Sequence, residues 1–465
     1  MSYLKYLFFY RNYHGYITAW KWHTLVHVCR RWRQIIFASP NRLDLRILCT
    51  HRTPVRKSLD IWPPFPIAVD YGYHWISIQV AHDDEDNIIA ALEHPDRVRY
   101  LGLDLTGMQL EKMIPVMQDS FPVLISLDIY LNDGYSLVLP ADYLGGSAPC
   151  LQEIKFSNFP YPALPTLLLS TTDLVTLHLY DIPPDGYISS EVMVASLVML
   201  PRLKDLIIHF EFFFTQRDPT LPLPPPTTRA ILPALTSFKF QGTGEYLEAL
   251  VAPIDGPQLN WIHIEYLNDS VDLPVAEFSK FFDRSSIPGT VPTLAEVRFD
   301  RLTVTFDMYR NANHLRSDYH HPISHLACGD TRIHWQVPKM ARMFSQFSAI
   351  LSTITHLKLF APSAEDRHFE ATGAEWLHFL SQFSTVQALY ISRAFAKHVA
   401  LALENITGEV VAGAWPSLVL ICLEDQPTSS VEKFIVARRV SGRPVTAIDT
   451  ETEFDQQLMY YAGKS

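Results

Sequence analysis

Cysteine is scarce in this chain and never paired in sequence. Cys29, Cys49, Cys150, Cys328 and Cys422 are spread over 465 residues, and no two form a C-x-x-C motif. An odd, scattered set in apolar surroundings is expected as buried, reduced thiols, which points to the cytosol or nucleus. The sequons at Asn268 and Asn405 then carry no weight, because glycosylation requires the secretory route. Long apolar runs are missing as well. No window approaches the ~18 residues of a membrane-spanning helix, so no membrane partner is expected. The run around Leu7–Tyr10 is too short for a signal-peptide core. Positive charge is in deficit, with 38 Lys and Arg against 49 Asp and Glu and a net charge of −11. That balance argues against a general nucleic-acid or anionic-membrane surface.

Catalytic motifs are absent too. There is no H-E-x-x-H and no G-x-S-x-G, and Gly145-Gly146-Ser147 lacks the closing glycine of a nucleophile elbow. Gly463-Lys464-Ser465 looks like the end of a phosphate loop without the preceding glycine or the following helix. His320, His321, His325, Cys328 and His334 supply zinc-type ligands at short range, as H-x3-H-x2-C over His321, His325 and Cys328. Pro322 and the apolar phrase Ile323–Cys328 argue for a strand instead, on which His325 and Cys328 point to opposite faces. No metal site, no cofactor and no catalytic activity are expected.

What the chain has in quantity is apolar residues, 48% of the total, with 12% aromatic, enough for a large core. They recur in one phrase, L-x-x-L-x-L with apolar substitutions. Copies are Leu124/Leu127/Ile129, Leu151/Ile154/Phe156, Leu174/Leu177/Leu179, Leu203/Leu206/Ile208, Leu235/Phe238/Phe240, Leu259/Ile262/Ile264 and Leu294/Val297/Phe299. Further copies are Ile354/Leu357/Leu359, Val386/Leu389/Ile391 and Leu418/Ile421/Leu423, with Val98/Leu101/Leu103 as a first copy and Ile323/Leu326/Cys328 as a weaker one. Neighbouring copies lie 23 to 35 residues apart, a range that runs past the usual leucine-rich-repeat period of ~20–29. Helical patterns lie between them at Glu191–Met199, Tyr246–Val251, Val275–Phe282, Lys339–Leu351, Glu375–Phe383, Phe395–Glu404 and Val431–Arg439. Strand and helix alternating at this interval predict parallel strands joined by right-handed crossovers. The fold class is α/β, and the phrase resembles an irregular leucine-rich repeat whose copies stack into a solenoid. An ordinary α/β domain with a parallel sheet is the alternative. Pro219–Pro226 is expected as an extended loop between repeats, Asp83–Asp86 as a solvated helix start, and Asp307–Thr331 as a looped-out insertion.

The segment Trp22–Pro40 stands apart. Leu25, Val28, Cys29, Trp32, Ile35 and Ile36 mark one helix face, Arg30, Arg31 and Arg33 fall between them, and Ser39-Pro40 closes the stretch. V-C-R-x-W followed by an apolar pair, then a small residue and proline, resembles the second half of an F-box. The Leu-Pro pair that opens an F-box has no counterpart here, and only Leu4, Leu7, Phe8 and Phe9 stand where its first helix would be. Arg42–Ile67 and Cys422–Arg439 also resemble F-box proteins of mushroom-forming fungi. The resemblance implies a partial F-box-like helical segment over 1–50, a linker and capping region over 51–90, and the irregular repeat array over 91–465. It also implies a non-catalytic substrate receptor of a cullin-type ubiquitin ligase, with Leu25, Val28, Cys29, Trp32 and Ile36 binding a Skp-family adaptor. The alternative is an interaction scaffold in which the helix only caps the array.

The residue between the last two apolar positions of each phrase points away from the core. Down the array it reads Asp128, Lys155, His178, Ile207, Lys239, His263, Arg298, Lys358, Tyr390 and Cys422. Lys155, His178, Lys239, His263, Arg298 and Lys358 make this a candidate substrate-binding column for an acidic or phosphorylated protein. Chance sampling of a short row is the competing explanation.

Overall fold

The computed structural model describes residues 27–38, 46–50, 54–71, 82–133, 137–211, 230–267, 275–285, 291–300, 303–310, 322–329, 336–361, 371–404, 415–424 and 431–450. Leu25, Pro219–Pro226, both sequons, His320, His321, His334 and Gly463–Ser465 lie outside them. The chain divides into two compact units, one of residues 1–188 with 199–203, the other of residues 189–198 with 204–465.

In the first unit the strands follow chain order and all run parallel. They are β1 (Ile47–Cys49), β2 (Ile67–Tyr71), β3 (Val98–Leu105), β4 (Ser126–Leu131), β5 (Glu153–Ser157) and β6 (Thr176–Ile182). The register sets Leu101, Leu127, Ile154 and Leu177 side by side, and likewise Leu103, Ile129, Phe156 and Leu179. All eight are buried. The phrase recurs because each copy adds one rung to these two apolar ladders, which no single copy could bury alone.

The second unit holds β7 (Asp205–Phe210), the short pair β8 (Ala230–Ile231) and β10 (Ile254–Asp255), β9 (Ser237–Gly242), β11 (Trp261–Tyr266), β12 (Leu294–Phe299), β13 (Thr303–Tyr309), β14 (Ser324–Gly329), β15 (His356–Phe360), β16 (Ala388–Ile391), β17 (Leu420–Glu424) and β18 (Thr446–Thr450). Its sheet order is β7-β9-β11-β14-β13-β12-β15-β16-β17-β18. The expected all-parallel array is therefore corrected at one place. β13 is antiparallel to both β12 and β14, while β14 runs parallel to β11 and β12 runs parallel to β15. The expected looped-out insertion is corrected with it, since Thr303–Tyr309 and Ser324–Gly329 are strands. Asp300 closes the β12–β13 turn by donating its N–H to the Thr303 carbonyl at 2.7 Å.

Helices cover one face of each sheet, and their starts are written in the local sequence. Thr106 follows β3 and forms a capping box with Gln109 that opens the helix Gly107–Met113. Thr243 caps Gly244–Val251, and Thr372 with Glu375 boxes Gly373–Ser381. Neighbouring repeats supply further caps that no local pattern signals. Asn87 accepts from the Val55 N–H, Asp133 from Gly107, Glu424 from Arg393, and Glu248 from both Glu277 and Phe278. In the second unit the core is aromatic: Trp376 packs against Phe299, Phe379 and Phe395, and Phe306 against Phe344 at 4.5 Å. No described helix is long and apolar enough to cross a membrane.

Two smaller expectations change. Asp84 and Glu85 open the helix His82–Leu92, as the acidic run suggests, but both are buried, and Glu85 takes the Lys112 ammonium at 2.6 Å. Cys49, Cys328 and Cys422 are buried, whereas Cys29 and Cys150 are exposed.

Candidate interaction surfaces

The segment singled out near the chain start forms a helix over Arg30–Phe37, and the Cys29 carbonyl accepts its first bond from Arg33 at 3.1 Å. It is held by Phe37, whose ring meets Phe65 at 5.5 Å and Trp62 at 6.3 Å, both edge-on. At about 100° per residue, Trp32 and Ile35 lie roughly 140–160° around the helix from Phe37. They are accordingly turned outward: Trp32 is 47% exposed, Ile35 54% and Val28 63%. Cys29 shares the exposed side, and Arg30, Arg31 and Arg33 are exposed beside it. Of the candidate adaptor contacts, Val28, Cys29 and Trp32 thus share one accessible surface and Ile36 lies in the same helix; Leu25 falls outside the described residues.

On the outward sheet face of the first unit, the register aligns Asp128, Lys155 and His178 as expected. His178 is buried, its Nδ1 lying 3.3 Å from the Tyr180 hydroxyl. Lys155 is committed to Glu153 on its own strand. Burial raises the Glu153 carboxyl, but Lys155, Ser126 and His178 together hold it below its usual range.

In the second unit, alignment confirms Ile207, Lys239 and His263 in one row, and Lys358, Tyr390 and Cys422 further along it. Arg298 is displaced. The partner of Lys358 across β12 is Glu296, and Arg298 faces Phe360. Two copies of the phrase, those in β12 and β14, are offset by two residues, so that Val297 and Leu326 occupy the rung held by Ile264 and Leu359. The outward row therefore runs Lys239, His263, His325, Asp307, Glu296, Lys358. His325, Asp307 and Glu296 were invisible to the repeat phrase because an antiparallel strand resets the register. His325 and Cys328 do point to opposite faces, and no group of three metal-ligating side chains converges among the described residues.

This row is a self-compensated polar seam, not a basic column. Glu265 lies 3.7 Å from the Lys239 ammonium and accepts from the His263 imidazole at 2.5 Å. Asp307 accepts from His325 at 2.5 Å. Glu296 takes Arg298 at 3.1 Å and Lys358 at 3.6 Å. The His263 and His325 rings stack at 4.3 Å, and Trp261 stacks on His263 at 5.6 Å. Burial lowers the His263 pKa to about 4, partly opposed by the hydrogen bond to Glu265. Burial would raise Glu265, yet the His263 hydrogen bond and the Lys239 charge bring it down to about 2. Glu296, Asp307 and His263 are all buried, so most of the seam is packed and not displayed.

No protein-family model and no curated protein matches the chain. Among solved structures it is similar to the leucine-rich repeat-containing protein LegL7 from Legionella pneumophila, at 14% identity and a TM-score of 0.27, with 86% of this chain and 99% of that chain covered. So distant a likeness carries no argument about function. The repeat is established within the chain itself, by the ladders through Leu127, Ile154 and Leu177 and through Phe240, Ile264 and Leu326.

Proposed function

We propose that this chain is a non-catalytic, leucine-rich-repeat-type protein-interaction receptor that works in a cullin-type ubiquitin ligase of the cytosol or nucleus. The helix Arg30–Phe37 takes a Skp-family adaptor, and the repeats take a protein substrate. The observation that supports it is the helix's two-sided use: Phe37 moors it to Trp62 and Phe65, leaving Val28, Trp32 and Ile35 outward. A helix whose only work was to cap the array would turn its apolar stripe inward. Receptor action needs no bond chemistry; it raises the effective concentration of substrate near the transfer centre.

An acidic or phosphorylated substrate would meet Lys155, Lys239, Arg298 and Lys358 only in competition with Glu153, Glu265 and Glu296. The scaffold without an adaptor is the second reading, favoured by the same Phe37 packing, which ties the helix down with or without a partner.

Co-purification with a Skp-family adaptor separates them. Wild type should retain the adaptor, and Val28→Asp with Trp32→Ala should lose it while circular dichroism stays unchanged. If the folded wild type retains no adaptor, the receptor proposal is wrong and the scaffold stands.

A further inference from the structure

The seam through β11, β14 and β13 carries a charge balance with a consequence for how the insertion is held. Its carboxylates are Glu265, Asp307 and Glu296, and its fixed cations are Lys239, Arg298 and Lys358. The three carboxylates and the three fixed cations cancel one another. His263 and His325 face each other directly across the β11–β14 register, with rings stacked at 4.3 Å. Among the described residues, the titratable or charged groups around them are Lys239 from β9, Glu265 on β11, Asp307 from β13, then Glu296 and Arg298 from β12. His209 on β7 reaches Glu265 electrostatically, and Tyr309 on β13 is held protonated by burial and by Asp307 and Glu296. A proton added to His263 is therefore only partly offset by Glu265, which Lys239 already engages, and protonation of both rings places two like charges in van der Waals contact.

We propose that the paired imidazoles His263 and His325 form an acid-sensitive latch: proton uptake loosens the β11–β14 junction and releases the edge of the antiparallel insertion. This junction, like that of β12 with β15, joins strands that are not successive in the repeat. Opening it leaves β11 and β14 each with an unpaired edge, and the rest of the sheet keeps its partners.

The direction follows from proton linkage. Between pH 6.5 and about 4, an opened seam with an ordinary His263 imidazole binds more protons than the closed one, in which burial holds His263 down to about 4. Closure is therefore fully favoured above pH 6.5 and weakens as the pH falls toward 4. At pH 5.0 the His263 site alone predicts a rise of at least about tenfold in the open population relative to pH 7.4.

The test is hydrogen exchange of the full chain at pH 7.4 and 5.0, corrected for the intrinsic rate, read on peptides covering β11 and β14. The paired variant His263→Gln with His325→Asn keeps a donor for Glu265 and for Asp307 but cannot titrate. Wild type should lose at least about tenfold protection in these strands at pH 5.0 while β4 and β5 keep theirs, and the variant should lose none. An equal loss in the variant, or no loss in wild type, overturns the latch. Should the double variant fail to fold, histidine-selective carbon-13 labelling of wild type decides: titration of His263 at the ordinary 6.5 without change in the β11–β14 amides overturns it equally.

Discussion

Glu248 offers a sharp test of how successive repeats are joined. Its carboxylate leaves the helix Gly244–Val251 and accepts the N–H groups of Glu277 at 2.7 Å and Phe278 at 2.8 Å, in the first turn of Ala276–Ser285. Those N–H groups have no partner within their own helix, and their positive end favours an anion. Burial raises the Glu248 pKa, and the two backbone hydrogen bonds pull it back. The carboxylate therefore bears a desolvation cost that these bonds offset only in part. Losing a helix cap costs about 1–2 kcal/mol, and two charge-assisted bonds place Glu248→Ala near 2 kcal/mol. That corresponds to about thirtyfold more frequent opening of the helix start. Glu248→Gln keeps one acceptor oxygen and should cost about half as much, or roughly fivefold. Hydrogen exchange on a peptide spanning residues 276–285 measures both, with β9 as an internal reference. Unchanged protection in the alanine variant, or a loss spread evenly over the second unit, would refute the reasoning.

Other outcomes follow from burial. Trp376 is fully buried against Phe299, Phe379 and Phe395, so Trp376→Ala should lower stability by about 3–5 kcal/mol in denaturant unfolding. Trp376→Phe should cost clearly less, because the Trp376 indole N–H is buried with no acceptor among the described residues; equal costs would contradict the packing. Native protein treated with iodoacetamide at pH 8 should be labelled at Cys29 and Cys150, which are exposed. Cys49 and Cys422 should stay unlabelled, since burial pushes both thiols up to about 12. Labelling Cys422 as fast as Cys150 would refute that assignment.

The fold was legible in the sequence to the extent that its repeat is local. The phrase at Leu124, Leu151 and Leu174 announces strands because each copy obeys the same alternation, and Thr106 and Thr372 announce helices because a cap is a three-residue event. What escaped is set by pairing across distance. Nothing in Leu294/Val297/Phe299 reveals that β13 will lie beside it and shift the alignment by two, moving Arg298 out of the row and Glu296 into it. The caps from Asn87, Asp133, Glu248 and Glu424 escaped for the same reason, because each acts on a helix about 30 residues away. At the helix Arg30–Phe37 the apolar spacing was legible, but the opposed role of Phe37 was not, since it depends on Trp62 and Phe65.

An array whose every strand pairs with its immediate successor can be lengthened, shortened or unzipped one unit at a time. β13 removes that freedom from the second unit. β11 finds its neighbour only after β12 and β13 have been made, and β12 waits for β15. A chain cut within residues 311–321 would therefore strand β11 and β13 with open edges, so this stretch of sheet must assemble and come apart as one piece. Deleting a whole copy of the phrase should be tolerated between β3 and β6, yet be fatal between β11 and β15.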